Sequence, residues 1–188
     1  MTRHWRLSAK ANLLKFEHTV HFCYIPLMVI NVLFVCSGNQ CRSPIAEAIL
    51  LHLIKRDGIT GINVKSAGTV ALGGEKVTEP TLKVSSDMGI DLSGHQAWRV
   101  TAELLMEYDR ILVMERIHRE MISKLCPQVN GRVSLLGALA PTALDGDEIP
   151  DPGSQDLLAH RTCFSRIIEA VYMLYNGLLK EIAAEKTT

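Results

Sequence analysis

One stretch of the chain, residues 32–47, constrains the possible fold more than any other. It begins with the apolar, β-branched run Val32-Leu33-Phe34-Val35-Cys36, which is typical of a strand buried on both faces. After a short polar loop it continues into Ser43-Pro44 and an apolar segment up to Ile54, which predicts a helix with Ser43 as its N-cap. A strand, a tight loop and a helix start bring several backbone N–H groups together. Such a nest suits an anion, most naturally phosphate.

The loop within this stretch carries the residues of one particular chemistry. Cys36 opens it and Arg42 closes it, and the spacing of a Walker loop is absent. A thiol attacks as the thiolate, which is stabilised beside a helix N-terminus and an arginine. Arg42 has a planar fork that matches two phosphate oxygens, and Ser43 can donate its hydroxyl to the sulfur. The pattern predicts a loop that holds a phosphoryl group in line with Cys36. The alternative is a chance pairing of cysteine and arginine in a structural loop.

Length and composition favour one globular domain without a charge-driven partner. The chain has 188 residues, of which 47% are hydrophobic, and a formal net charge of zero, so no basic field points to nucleic acid. Its 5 cysteines are an odd number and have the spacing of neither a disulfide framework nor a zinc site. We therefore expect a reducing, cytoplasmic location.

The first 27 residues differ in character from the rest, and we expect them to form a weakly structured extension ahead of a domain at residues 28–188. Basic residues precede an apolar stretch from Phe22 to Cys36, which is the order of a signal peptide or a membrane anchor. However, Pro26 and Asn31 interrupt that stretch, and it is too short to span a bilayer. We expect no membrane span, and Met28 is a candidate alternative start.

Strand and helix signals alternate through the remainder of the chain. Three further short strands are predicted at residues 62–64, 111–114 and 133–136. Helices are predicted at about 44–56, 78–89, 115–125 and 155–184, with a brief one that Thr101 caps. This alternation predicts a parallel sheet with helices on both faces, in which ligands bind beyond the carboxyl ends of the strands. The loops that carry Cys36, His95 and Asp151 lie at that edge.

Several segments of the chain also occur together in a recognisable order. They are Cys36-Ser37-Gly38-Asn39-Gln40-Cys41-Arg42-Ser43-Pro44, Ser66-Ala67-Gly68-Thr69, Gly89-Ile90-Asp91, Tyr108-Asp109-Arg110-Ile111-Leu112-Val113-Met114-Glu115 and Ile149-Pro150-Asp151-Pro152. This set resembles the low-molecular-weight protein tyrosine phosphatases over about residues 30–180. The resemblance implies a three-layer, doubly wound α/β fold with a four-stranded parallel sheet in the order 2-1-3-4. It also implies hydrolysis of phosphate monoesters without a metal or other cofactor.

The resemblance implies a role for each residue of the site. Cys36 would be the nucleophile, Arg42 the phosphate clamp and Asp151 the general acid. The phosphate-binding loop would consist of Ser37, Gly38, Asn39, Gln40, Cys41, Arg42 and Ser43. Asn39, Ser43 and His95 match positions that shape this loop and support the thiolate. The alternative for His95 is a loop histidine with local bonds only.

Asp151 also has a physical argument of its own. The oxygen that departs needs a proton from a group opposite the nucleophile. Pro150 and Pro152 make the backbone around Asp151 rigid, which suits a positioned acid. The neighbouring acids Asp145, Asp147 and Glu148 are interpreted as solvated charges.

Cys41 is a candidate redox partner of the nucleophile. A reactive thiolate is oxidised first to the sulfenic acid. A loop curved around one phosphate-sized anion would bring the sulfurs of Cys36 and Cys41 close enough to condense as a disulfide. The alternative is that Cys41 is a small buried residue that fills space beside the loop.

The sequence departs from the family pattern where the substrate is chosen. Gly153 follows Asp-Pro where an aromatic residue is usual, and no aromatic residue lies between Val70 and Gly74. Gln40 occupies a position that is commonly aliphatic, or threonine in relatives that act on phosphoarginine, and Trp98 stands where arginine is frequent. The family implies a phosphoprotein substrate, with an autophosphorylating tyrosine kinase as one candidate, and inhibition by inorganic phosphate or vanadate. These departures leave phosphotyrosine, phosphoarginine and small esters open.

Two other classes of protein share this loop. Thiol-dependent arsenate reductases relay oxidation through a close pair of downstream cysteines, whereas this chain has only Cys126 and Cys163 there. A catalytically idle phosphoprotein-binding module would lack a catalytic group, whereas Cys36, Arg42 and Asp151 are all present. Both classes are therefore weaker alternatives to a phosphatase.

Overall fold

A computed structural model describes residues 29–140, 146–153 and 156–185 of the chain. The predicted extension at residues 1–27 and the side chain of Asp145 lie outside the described residues. The strands are β1 (Ile30–Cys36), β2 (Ile62–Gly68), β3 (Arg110–Val113) and β4 (Val133–Leu135). The helices are α1 (Arg42–Arg56), α2 (Glu79–Asp87), α3 (Ala102–Met106), α4 (Arg116–Leu125) and α5 (Leu157–Glu185). Two short 3-10 turns, at Pro127–Arg132 and Gly137–Leu139, flank β4.

The four strands form one parallel sheet in the order β2-β1-β3-β4, so the predicted topology is confirmed. β1 is central and pairs with β2 on one side and β3 on the other. Cys36, the last residue of β1, lies opposite Gly68 at the end of β2. The predicted helix and strand positions agree with the structure to within a few residues, because each element has its own apolar pattern.

Both faces of the sheet are covered, as the apolar run in β1 predicts. Val32, Phe34 and Cys36 point to the side packed by α1 and α5, where they join one apolar cluster. Leu33 and Val35 point to the opposite side, where α3 and α4 supply the second cluster. The three layers of a doubly wound fold follow from this alternation along one strand.

The start of α1 differs from the prediction. The helix begins at Arg42 with Cys41 as its N-cap, and no side chain caps it. Ser43 therefore lies inside the first turn, and the prediction that it is the N-cap is wrong. Its hydroxyl is engaged by Asn39 and Cys36 instead of by the helix amides. By contrast, the predicted cap of α3 is confirmed, because the Thr101 side chain accepts a hydrogen bond from the Leu104 amide.

Among the described residues, no helix is both long and apolar enough to cross a bilayer. This includes α5, which has 29 residues.

Candidate active site

The loop between β1 and α1 lies against the carboxyl end of β2. The amides of Thr69 and Val70 donate hydrogen bonds to the carbonyl oxygens of Cys36 and Ser37, at 2.9 and 3.0 Å. Gly68 makes this approach possible, because a Cβ there would lie 2.5 Å from the Ser37 carbonyl oxygen. Backbone hydrogen bonds thus hold the loop against β2, and the absence of a side chain at Gly68 leaves room for this close approach.

The sulfur of Cys36 lies 3.0 Å from the Ser43 hydroxyl oxygen, and both residues are buried. Asn39 donates to that oxygen from Nδ2 at 2.9 Å, and the Ala67 carbonyl oxygen lies 3.3 Å away. Because Asn39 fills one acceptor position, the Ser43 proton is free to point either to the sulfur or to Ala67. A thiolate at Cys36 would therefore meet a hydroxyl donor, and a thiol would meet an acceptor.

The bend of the loop is fixed by Asn39, which has a φ of 55°. Asparagine is one of the few residues other than glycine that tolerates this region. Its Nδ2 donates to Ser43 and to Ser66, its Oδ1 accepts from the Trp98 amide, and its carbonyl oxygen lies 2.8 Å from His95 Nε2. Because a carbonyl only accepts, His95 carries its proton on Nε2. The loop and the segment around His95 are thereby joined through one buried amide.

A carboxylate lies at the far end of this network. The Ser66 hydroxyl donates to Glu47 Oε2 at 2.6 Å. Burial raises the pKa of Glu47 above its ordinary value, although the hydrogen bond from Ser66 and the nearby Lys65 oppose the shift. Glu47, Lys65, His95 and Trp98 line a cavity of about 320 Å³. A chain of hydrogen bonds thus runs from this cavity through Ser66 to the loop.

The other loop residues are half-buried. The Gln40 carbonyl oxygen accepts from the Thr78 amide at 3.1 Å, which joins the loop to the start of α2. The Gln40 side chain turns back toward Gly38, and its Oε1 would lie 3.6 Å from a Cβ placed there. The polar side chain of Gln40, which departs from the family pattern, therefore lies at the loop itself.

Arg42 is 1% exposed, and its guanidinium joins four groups. Nη1 donates to the Glu115 carboxylate and to the Ile149 carbonyl oxygen, and Nη2 donates to Asp151 Oδ2 at 2.6 Å and to Ser37 Oγ at 3.4 Å. Nε has no partner among the described residues. Burial alone would lower the pKa of Arg42, but the hydrogen bond with Glu115 and the nearby Asp151 charge raise it above its ordinary value. The group is a buried, permanent cation, and one of its donors is unpaired within the described part of the chain.

Among the described acids of its loop, Asp151 is the one that reaches this cation. Its carboxylate pairs with Arg42, while half of its side chain is exposed. Asp147 and Glu148 pair instead with Arg116 at the surface. The structure therefore brings Asp151 to the loop and leaves Asp147 and Glu148, the described neighbouring acids, outside it.

His118 also enters the site, from the first turn of α4. It is 1% exposed, and its Nδ1 accepts a hydrogen bond from the Glu115 amide at 3.1 Å. Its Nε2 lies 2.9 Å from Ser37 Oγ. Burial and the positive charge of Arg42 lower the pKa of His118, which favours the neutral imidazole.

Comparisons with known proteins show what this chain is similar to. The family model for "Low molecular weight phosphotyrosine protein phosphatase" matches residues 31–188. A "Putative low molecular weight protein-tyrosine-phosphatase" of Klebsiella pneumoniae is 37% identical over 153 residues, which are 81% of this chain and 99% of that protein. The chain belongs to the low molecular weight phosphotyrosine protein phosphatase family. The predictions of the family and of an enzyme with phosphatase activity are confirmed.

Solved structures of this phosphatase family have the same fold. The tyrosine phosphatase Wzb from Escherichia coli K30, in complex with sulphate, has a TM-score of 0.71 and 33% identity, and the match covers 80% of this chain and 99% of that one. The arginine phosphatase YwlE, as a cysteine-to-serine mutant with a phosphorylated active-site serine, has a TM-score of 0.74 and 26% identity, covering 80% and 97% of the two chains. The similarity thus extends to proteins named for two different phosphorylated residues.

Three residues of the phosphatase site were missed by the sequence reasoning. Glu115 lies in a segment that resembles the family, but its role was not visible because it meets Arg42 from 73 residues away. His118 follows Glu115 at the spacing of a capping box, which was a usable signal, although the residue types are not the usual ones. Glu47 looks like an ordinary helix residue, and only the fold brings it to Ser66.

The described cysteines of this phosphatase are all free thiols, namely Cys36, Cys41, Cys126 and Cys163. Burial raises the pKa of Cys41 to about 12, which outweighs a hydrogen bond with Thr81. Burial likewise raises the pKa of Cys163 to about 12. Cys41 is therefore a neutral thiol near the nucleophile, which suits a packing role directly and a redox role only after deprotonation.

Proposed function

We propose that this phosphatase hydrolyses phosphate monoesters through a covalent phosphocysteine on Cys36, with Arg42 as the phosphate clamp and Asp151 as the general acid and base. The observation that carries the proposal is the bonding of Arg42. Its buried Nε–H has no partner among the described residues, and the neighbouring Nη2 is bound to Asp151. An arginine binds two phosphate oxygens through neighbouring N–H groups, so this edge of the guanidinium fits a phosphoryl group.

Each step of the proposed reaction has a group for its proton or its charge. The Cys36 thiolate attacks phosphorus, the bond to the ester oxygen breaks, and Asp151, which must enter this step as the neutral acid, gives its proton to that oxygen. The Ser43 hydroxyl supports the thiolate, while the loop amides and Arg42 bind the charge on the equatorial oxygens. Water then attacks the phosphocysteine, Asp151 takes its proton, and phosphate leaves with the thiolate regenerated.

The proposed substrate is phosphotyrosine in a protein, and an autophosphorylating tyrosine kinase is the partner class we propose. The description of the family and the name of the Klebsiella relative support phosphotyrosine. Two departures favour phosphoarginine as a second candidate: the polar Gln40 in the loop and the absence of an aromatic residue after Asp-Pro. We do not expect Trp98 to replace that aromatic residue, because it lines the cavity beside Glu47 and has the Lys65 ammonium over its ring.

The arrangement of the cysteines argues against an arsenate reductase. Cys126 packs in the cluster under α3 and α4, whereas Cys163 packs in the cluster under α1 and α5. The sheet separates them, so they cannot form the close pair that would relay oxidation. The free thiols of the described residues are consistent with the proposed cytoplasmic location.

Turnover of p-nitrophenyl phosphate in the presence of a chelator tests the proposed reaction. We expect turnover that inorganic phosphate and vanadate inhibit competitively, and no arsenate-dependent consumption of thiols. A phosphotyrosine peptide and a phosphoarginine peptide of the same sequence should then be compared by kcat/KM. If only arsenate supports thiol consumption and no ester is hydrolysed, the proposed function is wrong.

A further inference from the structure

The hydrogen bonds of His118 determine which of its nitrogens carries the proton. Nδ1 accepts from the Glu115 backbone amide at 3.1 Å. A backbone N–H can only donate, so Nδ1 must present a lone pair, and the proton of the neutral imidazole lies on Nε2. His118 therefore donates from Nε2 to Ser37 Oγ at 2.9 Å.

The Ser37 hydroxyl is consequently oriented by two donors. His118 Nε2 donates to it from one direction, and Arg42 Nη2 donates to it at 3.4 Å from another. A hydroxyl has two acceptor positions and one proton, so both acceptor positions are filled and the proton must point elsewhere. Within the described ranges no group accepts that proton. Ser37 directly follows Cys36 in the chain and is half-buried. Its hydroxyl and the Asp151 carboxylate both accept from Arg42 Nη2.

We propose that His118 is a positioning residue, which turns the Ser37 hydroxyl so that its proton is donated to a phosphoryl oxygen held at Arg42. The inference rests on the proposed function for the identity of the bound group. The Ser37 hydroxyl would then be one more donor to the oxyanion, in addition to the loop amides and the guanidinium. Such donors act on charge that develops in the transition state.

The choice of a histidine supports this assignment over a purely structural cap. A capping box needs an acceptor at this position, which glutamate or glutamine supplies. Glutamate would place a second acceptor and a negative charge against Ser37, where a donor stands now. Histidine and glutamine both offer an acceptor and a donor on either side of one carbon atom. The site thus uses the second nitrogen of His118, which a cap alone does not require.

Four variants test the inference. We expect Ser37→Ala and His118→Leu each to weaken phosphate inhibition and to lower kcat/KM for p-nitrophenyl phosphate roughly tenfold, the usual effect of one hydrogen bond to a charged group. His118→Gln should stay within about threefold of the parent, because glutamine can make both hydrogen bonds. The double variant His118→Leu/Ser37→Ala should lose no more phosphate inhibition and no more kcat/KM than Ser37→Ala alone, since His118 acts through that hydroxyl. His52→Gln, on the exposed side of α1, is the control.

A structural role for His118 predicts a different pattern. His118→Leu would then lower kcat/KM by the same factor in the Ser37→Ala background as it does alone, or Ser37→Ala would bind phosphate as well as the parent. Either result overturns the inference. Thermal unfolding of each variant identifies misfolding, and His118→Gln keeps the test decisive if His118→Leu is unstable.

Phosphate affinity measured by calorimetry in the Cys36→Ser background separates this inference from the proposed function. It needs no turnover, so the expected losses there support the Ser37 donor even if the parent hydrolyses no ester. If the parent hydrolyses esters but these phosphate affinities are unchanged, the inference about Ser37 is refuted and the proposed function still stands.

Discussion

Replacing Asp151 by asparagine should have opposite effects on phosphate binding and on turnover. In the free protein the Asp151 carboxylate holds Arg42 Nη2 at 2.6 Å, the nitrogen that a bound phosphate needs together with Nε. Phosphate must therefore displace Asp151 before it can bind both nitrogens. Asparagine keeps the shape of the side chain but removes the charge, so it should compete less well for the guanidinium.

The expected gain in affinity is modest because the pair is only half-buried. Arg42 is 1% exposed but Asp151 is 49% exposed, so solvent screens the contact. An ion pair of this kind contributes about 1 kcal/mol, which corresponds to roughly fivefold tighter binding of phosphate. Loss of the general acid should at the same time lower kcat by about 10² to 10⁴ for esters with basic leaving groups.

Two measurements check this prediction at pH 7: calorimetry with inorganic phosphate, and kcat across a series of phenyl phosphates with leaving groups of different acidity. The loss in kcat should shrink as the leaving group becomes more acidic. Asp147→Asn is the matched control, because Asp147 pairs with Arg116 at the surface. Weaker phosphate binding by Asp151→Asn, or an equal loss of kcat along the series, would refute the reasoning.

Three further predictions follow from the same geometry. Cys36→Ser should abolish turnover while phosphate still binds, since Arg42 and the loop amides are unchanged; turnover above about a hundredth of the parent rate would point to another nucleophile. Mild peroxide should join Cys36 to Cys41 in a disulfide, and this should be slow because the Cys41 thiol is neutral. After the same treatment Cys41→Ser should lose activity that dithiothreitol cannot restore. Equal recovery of variant and parent would show that Cys41 is a packing residue. Because folding raises the pKa of Glu47, that carboxyl favours the folded state only at low pH, and its contribution is lost as the pH rises. Glu47→Gln should therefore unfold at a higher temperature than the parent at pH 7, with the difference vanishing below about pH 4, and a lower unfolding temperature at pH 7 would count against the shift.

The parts of the fold that could be predicted are those with local signals. Three local signals each predicted an element without knowledge of its neighbours: the apolar run before Cys36, the Ser-Pro after the loop, and the short apolar strands. Ser43 was misassigned as an N-cap because its competing partners, the Cys36 sulfur and the Asn39 amide, become available only when the loop closes. Glu115 and His118 were missed for a related reason, since β3 and α4 reach the loop only through the sheet order.

The loop that carries Cys36 is continuous with the central strand and is bound on all sides before any ligand arrives. Thr69 and Val70 hold its start, Thr78 holds its middle, and Asn39 joins it to the segment around His95. The conformational entropy of these residues is therefore lost when the chain folds and not when phosphate binds. A small anion should thus bind with little ordering of the chain, and its affinity should depend on charge and desolvation at Arg42.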